Sequence, residues 1–96
     1  MPELVFTGLA LQRLDEIQSY IAQNNPAAAD RTVDRILQSA SLLGQFPMIG
    51  REGAIEGTRE LTVPNIPYRI IYRIEAEAVV VTQVVHTRQQ WPPARA

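Results

Sequence analysis

The chain opens with a short apolar run, Glu3–Phe6 (ELVF), that fits a first strand. Leu11, Leu14, Ile17 and Ile21, with Ala10 and Tyr20 beside them, then recur at helical spacing, while Asp15 and Glu16 fall on other faces. Thr7 is placed to cap this helix by accepting a backbone hydrogen bond. Asn24-Asn25-Pro26 ends it and begins another, with Asn25 as N-cap and Pro26 at the first helical position. Ala29, Val33, Ile36, Leu37, Ala40 and Leu43 form the second apolar stripe, and Gly44 is expected to end it in a left-handed conformation. Helices joined this tightly form an antiparallel hairpin.

The pattern breaks from Gln45 to Gly57, where Phe46-Pro47, Gly50, Gly53 and Gly57 predict a loop. Thr58–Val63 alternates as a strand should. Tyr68–Ile74 (YRIIYRI) and Ala78–His86 (AVVVTQVVH) are rich in β-branched and aromatic residues and are the strongest strand segments. Pro64–Pro67 separates the first pair, and Glu75–Ala78 makes the turn of the second. The prolines after Trp91 stop any further strand. The predicted fold is α+β in one domain over 1–96. It has an N-terminal strand, an antiparallel helical hairpin and a three-stranded antiparallel meander, with the helices on one sheet face.

A two- or four-residue turn sets Ile74 opposite Val79, Tyr72 opposite Val81, Ile70 opposite Gln83 and Tyr68 opposite Val85. Opposed residues share a face. One face then carries Tyr68, Ile70, Tyr72, Ile74, Val79, Val81, Gln83 and Val85 and faces the helices. The other gathers Arg69, Ile71, Arg73, Val80, Thr82, Val84, His86 and Arg88. In the preceding strand Leu61 and Val63 point to the core, leaving Glu60 and Thr62 on the open face. On that reading Arg69 and His86 are diagonal neighbours on an open sheet face, with Arg73 neutralised by Glu60 or Glu75.

Composition narrows the chemistry. Apolar content of 46% with 20% charged residues excludes a disordered chain. No cysteine and one histidine leave no disulfide framework and no multi-histidine metal site within one chain. No apolar stretch approaches transmembrane length and the N-terminus lacks a signal-peptide pattern, so the expectation is a cytoplasmic protein without membrane contact. All nine basic residues are arginine, and six fall in residues 49–96, which makes that half the anion-facing one. A cationic face can hold phosphate, a histidine beside arginine can move a proton near neutral pH, and Trp91 can stack on a base. The alternative is an ordinary solvated sheet face. No phosphate-binding loop, zinc motif, nucleophile elbow or dinucleotide fingerprint is present.

Together, "PYRIIYRI", the acidic turn, "VVVTQVVHTRQQWP" and the upstream "NNPAAADR" and "FPMIGRE" resemble the RelE/ParE superfamily of toxins from type II toxin–antitoxin modules, over Leu4 to Trp91. The resemblance implies a bacterial growth-inhibiting toxin of the plasmid-stabilisation kind, held inactive in a hetero-oligomeric complex by a cognate antitoxin. No cofactor and no metal are expected. RelE-like members are ribosome-dependent endoribonucleases that cut mRNA, whereas ParE-like members inhibit DNA gyrase. Arg69 matches the phosphate-contacting arginine of the RelE strand, Arg88 matches an active-site arginine after the last strand, and His86 sits where ParE-like members carry H-x-R. RelE's lysines have no counterpart, nor does its C-terminal tyrosine, since no tyrosine follows Tyr72. That departure favours the ParE-like branch, with gyrase as partner and Arg69, Arg73, His86, Arg88 and Trp91 as its binding residues. The alternatives are an mRNA interferase acting on the ribosome with Arg69, His86 and Arg88 as catalytic residues, and a non-toxic member that only binds antitoxin.

Overall fold

The structure is a computed structural model that describes residues 2–94. In chain order it comprises β1 (Glu3–Phe6), α1 (Gly8–Ala22), α2 (Pro26–Gln45), a 3-10 turn (Pro47–Ile49), β2 (Arg51–Glu52), β3 (Arg59–Thr62), β4 (Tyr68–Glu75) and β5 (Ala78–His86). The sheet order is β1-β5-β4-β3-β2. β1 runs parallel to β5, and the other neighbours are antiparallel. The α+β architecture is therefore as expected. Five strands replace the expected four because the Arg51-Glu52 pair, too short to show alternation, joins the sheet edge beside Arg59 and Glu60.

Both helices start where their caps require. Thr7 Oγ1 accepts from the Ala10 amide at 3.1 Å and Asn25 Oδ1 from Ala28 at 3.0 Å, each satisfying an N–H without a partner inside the helix. On α1 the buried stripe is Ala10, Leu14 and Ile17, and the predicted members Leu11 and Tyr20 face outward. Leu37 of α2 also lies on an exposed face. Gly44 does not end α2. It is a buried helical residue, and the helix continues to Gln45, with the Phe46 amide still bonded to Leu42 O at 2.7 Å. Pro47 sets the end instead, because a residue before proline is pushed toward extended backbone and Phe46 takes φ −131°.

The helices pack on one side of the sheet, chiefly over β5, β1 and β4. Ile36, Leu43, Ile70, Tyr72, Val79 and Val81 are buried between the layers. Tyr72 is fully buried, so its hydroxyl must find partners. It donates to Pro47 O at 2.7 Å and accepts from the Gly50 amide at 2.9 Å. Gly50 is required here: a Cβ would run into the Tyr72 hydroxyl and lie 2.9 Å from Glu60 O.

The β4–β5 pairing corrects the predicted faces. Ile74 opposes Val79 and Tyr72 opposes Val81 as expected, but Ile71 then opposes Gln83, Ile70 opposes Val84, Arg69 opposes Val85 and Tyr68 opposes His86. Thr82 is an extra residue in a β-bulge, and one inserted residue turns all later side chains to the other face. Two hydrogen bonds hold the bulge: Thr82 Oγ1 donates to Ile71 O at 3.2 Å, and Thr7 Oγ1 donates to Thr82 O at 3.3 Å. Val84 and His86 consequently turn to the helix side, and Gln83 and Val85 leave it. The face away from the helices is not a wet one either, since Ile71, Val80, Val85 and Glu60 are all buried there.

Candidate functional site

The candidate residues divide between two surfaces. On the face away from the helices, β3 and β4 place Glu60 beside Ile71 and Thr62 beside Arg69. Glu60 is only 4% exposed, so its charge needs compensation. Arg69 Nη1 donates to Glu60 Oε1 at 3.0 Å, Arg51 Nη2 reaches the same oxygen at 3.4 Å, and the Ala54 amide donates to Oε2 at 2.9 Å. Both carboxylate oxygens are engaged. Arg69 is itself largely buried, whereas the side chain of Arg51 is mostly in solvent. Arg73 shares the face and pairs with Glu75 at 2.6 Å. Of the two carboxylates predicted for Arg73, Glu75 is the partner; Glu60 belongs to Arg69.

His86 stands on the opposite side. Its ring packs edge-on against Tyr68, with centroids 5.2 Å apart and planes at 78°. The two rings line an open cleft of about 440 Å³ with Arg13, Glu16, Ile17 and Tyr20 of α1. His86 Nδ1 accepts from the Arg88 amide at 3.0 Å, so the neutral ring carries its proton on Nε2. Arg13 donates to Val84 O and to Glu16, anchoring α1 to the end of β5. Burial pushes the Tyr68 hydroxyl above its ordinary value; the Arg13 guanidinium opposes that rise and Tyr20 adds to it.

Arg88 is exposed on the turn after β5, where the Thr87 amide bonds to Pro67 O and Gln89 to His86 O. Trp91 is partly buried, and its indole N–H is enclosed without a hydrogen-bond partner. The predicted convergence of Arg69 and His86 on one face is therefore not formed, and the bulge at Thr82 is the reason. Two contributors were not foreseen. Glu60 as the partner of Arg69 had a legible signal, its placement on the same face, whereas Arg13 joins through a helix–sheet contact that no spacing encodes. Among the described residues no group of three His, Asp or Glu side chains is arranged to hold a metal ion, and no helix is long and apolar enough to cross a membrane.

This geometry suits binding better than proton transfer. Arg69 is already neutralised, and the imidazole lies across the sheet from it.

Comparison with known proteins places the chain. Residues 4–91 match the family model described as the ParE toxin of the type II toxin-antitoxin system, parDE. The chain is 48% identical to Y4kP of Sinorhizobium fredii over 87 residues, covering 91% of this chain and 90% of that one. It is 36% identical to Toxin RelE2 of Caulobacter vibrioides over 86 residues, covering 90% and 96% of the two chains. Among solved structures, a chain of the chromosomal ParDE TA system from P. aeruginosa superposes with a TM-score of 0.84 at 24% identity, covering 92% of this chain and 98% of that one, a likeness of fold. The helical hairpin, the five-stranded sheet and the match from Leu4 to Trp91 agree: this chain belongs to the ParE toxin family of type II toxin–antitoxin systems, within the RelE/ParE superfamily.

Proposed function

We propose that this toxin acts by binding, with DNA gyrase as its target, and that a cognate antitoxin neutralises it in a hetero-oligomeric complex. The observation that carries the reading is the Glu60–Arg69 pair at 3.0 Å, with His86 turned to the other side of the sheet. An endoribonuclease acting through Arg69 and His86 needs a free guanidinium for phosphate and a proton-transfer group within hydrogen-bond reach of the same substrate. Here the guanidinium is held by a buried carboxylate, and the only histidine packs on Tyr68. A binding toxin needs neither condition. Its interface draws on Arg73, Arg88, Trp91 and the His86 cleft, with Arg69 bracing the sheet beneath. The matching ParE family model supports the same branch.

Ribosome-dependent mRNA cleavage remains the second reading, because two relatives carry the name RelE. His86→Ala separates the two. As one of several interface side chains, His86 can be truncated with weakened but not abolished binding, so strong inducible expression of this variant should still arrest growth, and primer extension on abundant messages should show no new cuts with either protein. Loss of toxicity by His86→Ala, together with codon-specific cuts by the wild type, would establish the nuclease reading instead.

A further inference from the structure

β1 ends at Phe6, but the edge of β5 that it covers runs on past Val81. Thr7 and Arg13 take over the bonding there. The Thr7 amide donates to Val81 O at 3.0 Å, Thr7 Oγ1 to Thr82 O at 3.3 Å and Arg13 Nε to Val84 O at 3.3 Å. Successive carbonyls of a regular strand point to opposite edges, so this edge would offer Val81, Gln83 and Val85. It offers Val81, Thr82 and Val84 instead. The change from odd to even positions is the bulge, and the Thr7 hydroxyl bonds the carbonyl at which it occurs.

That hydroxyl is fully committed. It has a single hydrogen to donate, which goes to Thr82 O, while the oxygen accepts from the Ala10 amide at 3.1 Å as the cap of α1. One side chain therefore fixes both walls of the His86 cleft: α1, which brings Arg13, Ile17 and Tyr20, and the end of β5, which sets His86 against Tyr68. The side chains after the bulge do little to fix the register themselves. Without it, Val85 would turn to the helix side and Val84 away, an exchange of like for like. Gln83 resists, because its amide would move opposite the buried Ile70 under the helices. His86 would cross to the face of Arg69.

Resting on the binding reading above, we infer that Thr7 is a positioning residue of the toxin's target interface: by holding the bulge at Thr82, its hydroxyl keeps His86 in the cleft. It acts through His86, not by contact with the target.

The test follows two readouts on the whole chain: the contact between the His86 and Tyr68 rings, by nuclear Overhauser effects, and inhibition of purified gyrase. Thr7→Ser keeps both hydroxyl bonds and should match wild type in each. Thr7→Asp keeps the cap acceptor, but its carboxylate has no hydrogen for Thr82 O. It should populate a second set of His86 signals without the Tyr68 contact and weaken inhibition about tenfold, as His86→Ala does. Combined with Gln83→Val, which removes the opposing amide, it should lose the contact altogether. Asn25→Ala removes the equivalent cap of α2 and should leave both readouts at wild type, which separates positioning from a general loss of stability. In a His86→Ala background Thr7→Asp should add less than about threefold, because both act on the same ring. A full ring contact in Thr7→Asp and in its combination with Gln83→Val, or an additional tenfold loss in the His86→Ala background, would overturn the inference. Gyrase left unaffected by the wild-type toxin would overturn the binding reading, and the ring contact would still decide the role of Thr7.

Discussion

Removing the charge of Glu60 is the sharpest perturbation of the sheet. Glu60→Gln keeps the shape and an oxygen for the Ala54 amide, but leaves Arg69, 17% exposed in its side chain, without a counter-charge. At a charge separation of about 4 Å and an effective dielectric of about 20, the lost attraction is about 4 kcal/mol. A wholly buried pair broken on one side costs about 3–5 kcal/mol. Arg69 retains some contact with water and the glutamine dipole retains some attraction, so the expected loss is about 2–3 kcal/mol. For a domain of this size that lowers Tm by about 10–20 °C. Thermal unfolding followed by circular dichroism measures it. Adding Arg69→Met to Glu60→Gln should recover most of the loss, giving a coupling of about 2 kcal/mol in the double-mutant cycle. A Glu60→Gln protein that melts within about 2 °C of wild type would refute the claim that this carboxylate holds Arg69.

Other consequences can be measured independently. Asn25→Ala removes the acceptor for the Ala28 amide and should cost about 1 kcal/mol in urea unfolding, with an unchanged m-value. Tyr72→Phe deletes both bonds of the clamp on the Pro47–Gly50 turn and should cost about 2 kcal/mol, with faster amide exchange at Gly50. Tyr68 is an acid whose folded value is raised, so the folded state holds its proton longer than the unfolded chain. Its stabilising contribution is fully present below the ordinary value of 10.0 and is lost as pH climbs through the higher folded value. Tyr68→Phe should flatten that part of the stability–pH curve, and an unchanged alkaline limb would contradict it.

Much of the fold was legible because its determinants are local. Thr7 and Asn25 cap the helices they precede, and the β4–β5 hairpin turns at Ala76-Glu77 as the acidic turn implied. What could not be read was set by tertiary contact. The bulge at Thr82 is held in part by a hydroxyl–carbonyl bond from Thr7, 75 positions away. β-branched residues on both sides of it suit either register, since Val84 and Val85 fit either face equally well. That single residue moved His86 from the arginine face to the helix side and so reversed the composition of the candidate site. The outward turn of Leu11 and Leu37 was hidden for a similar reason. Apolar periodicity identifies a helix, but which of two neighbouring apolar residues is buried, Ala10 over Leu11 and Ile36 over Leu37, depends on what the sheet presents to it. Glu60 lies between these cases: its face was predictable from alternation, but its choice of Arg69 over Arg73 needed the cross-strand register.

The central claim is that this toxin acts on gyrase by binding, without an assembled acid–base pair. The most direct measurement is supercoiling of relaxed plasmid by purified gyrase with increasing toxin, run for the wild type and for His86→Ala. Inhibition of supercoiling by both proteins, with His86→Ala needing more toxin, is the predicted result. Undisturbed supercoiling across the toxin range that arrests growth would contradict it.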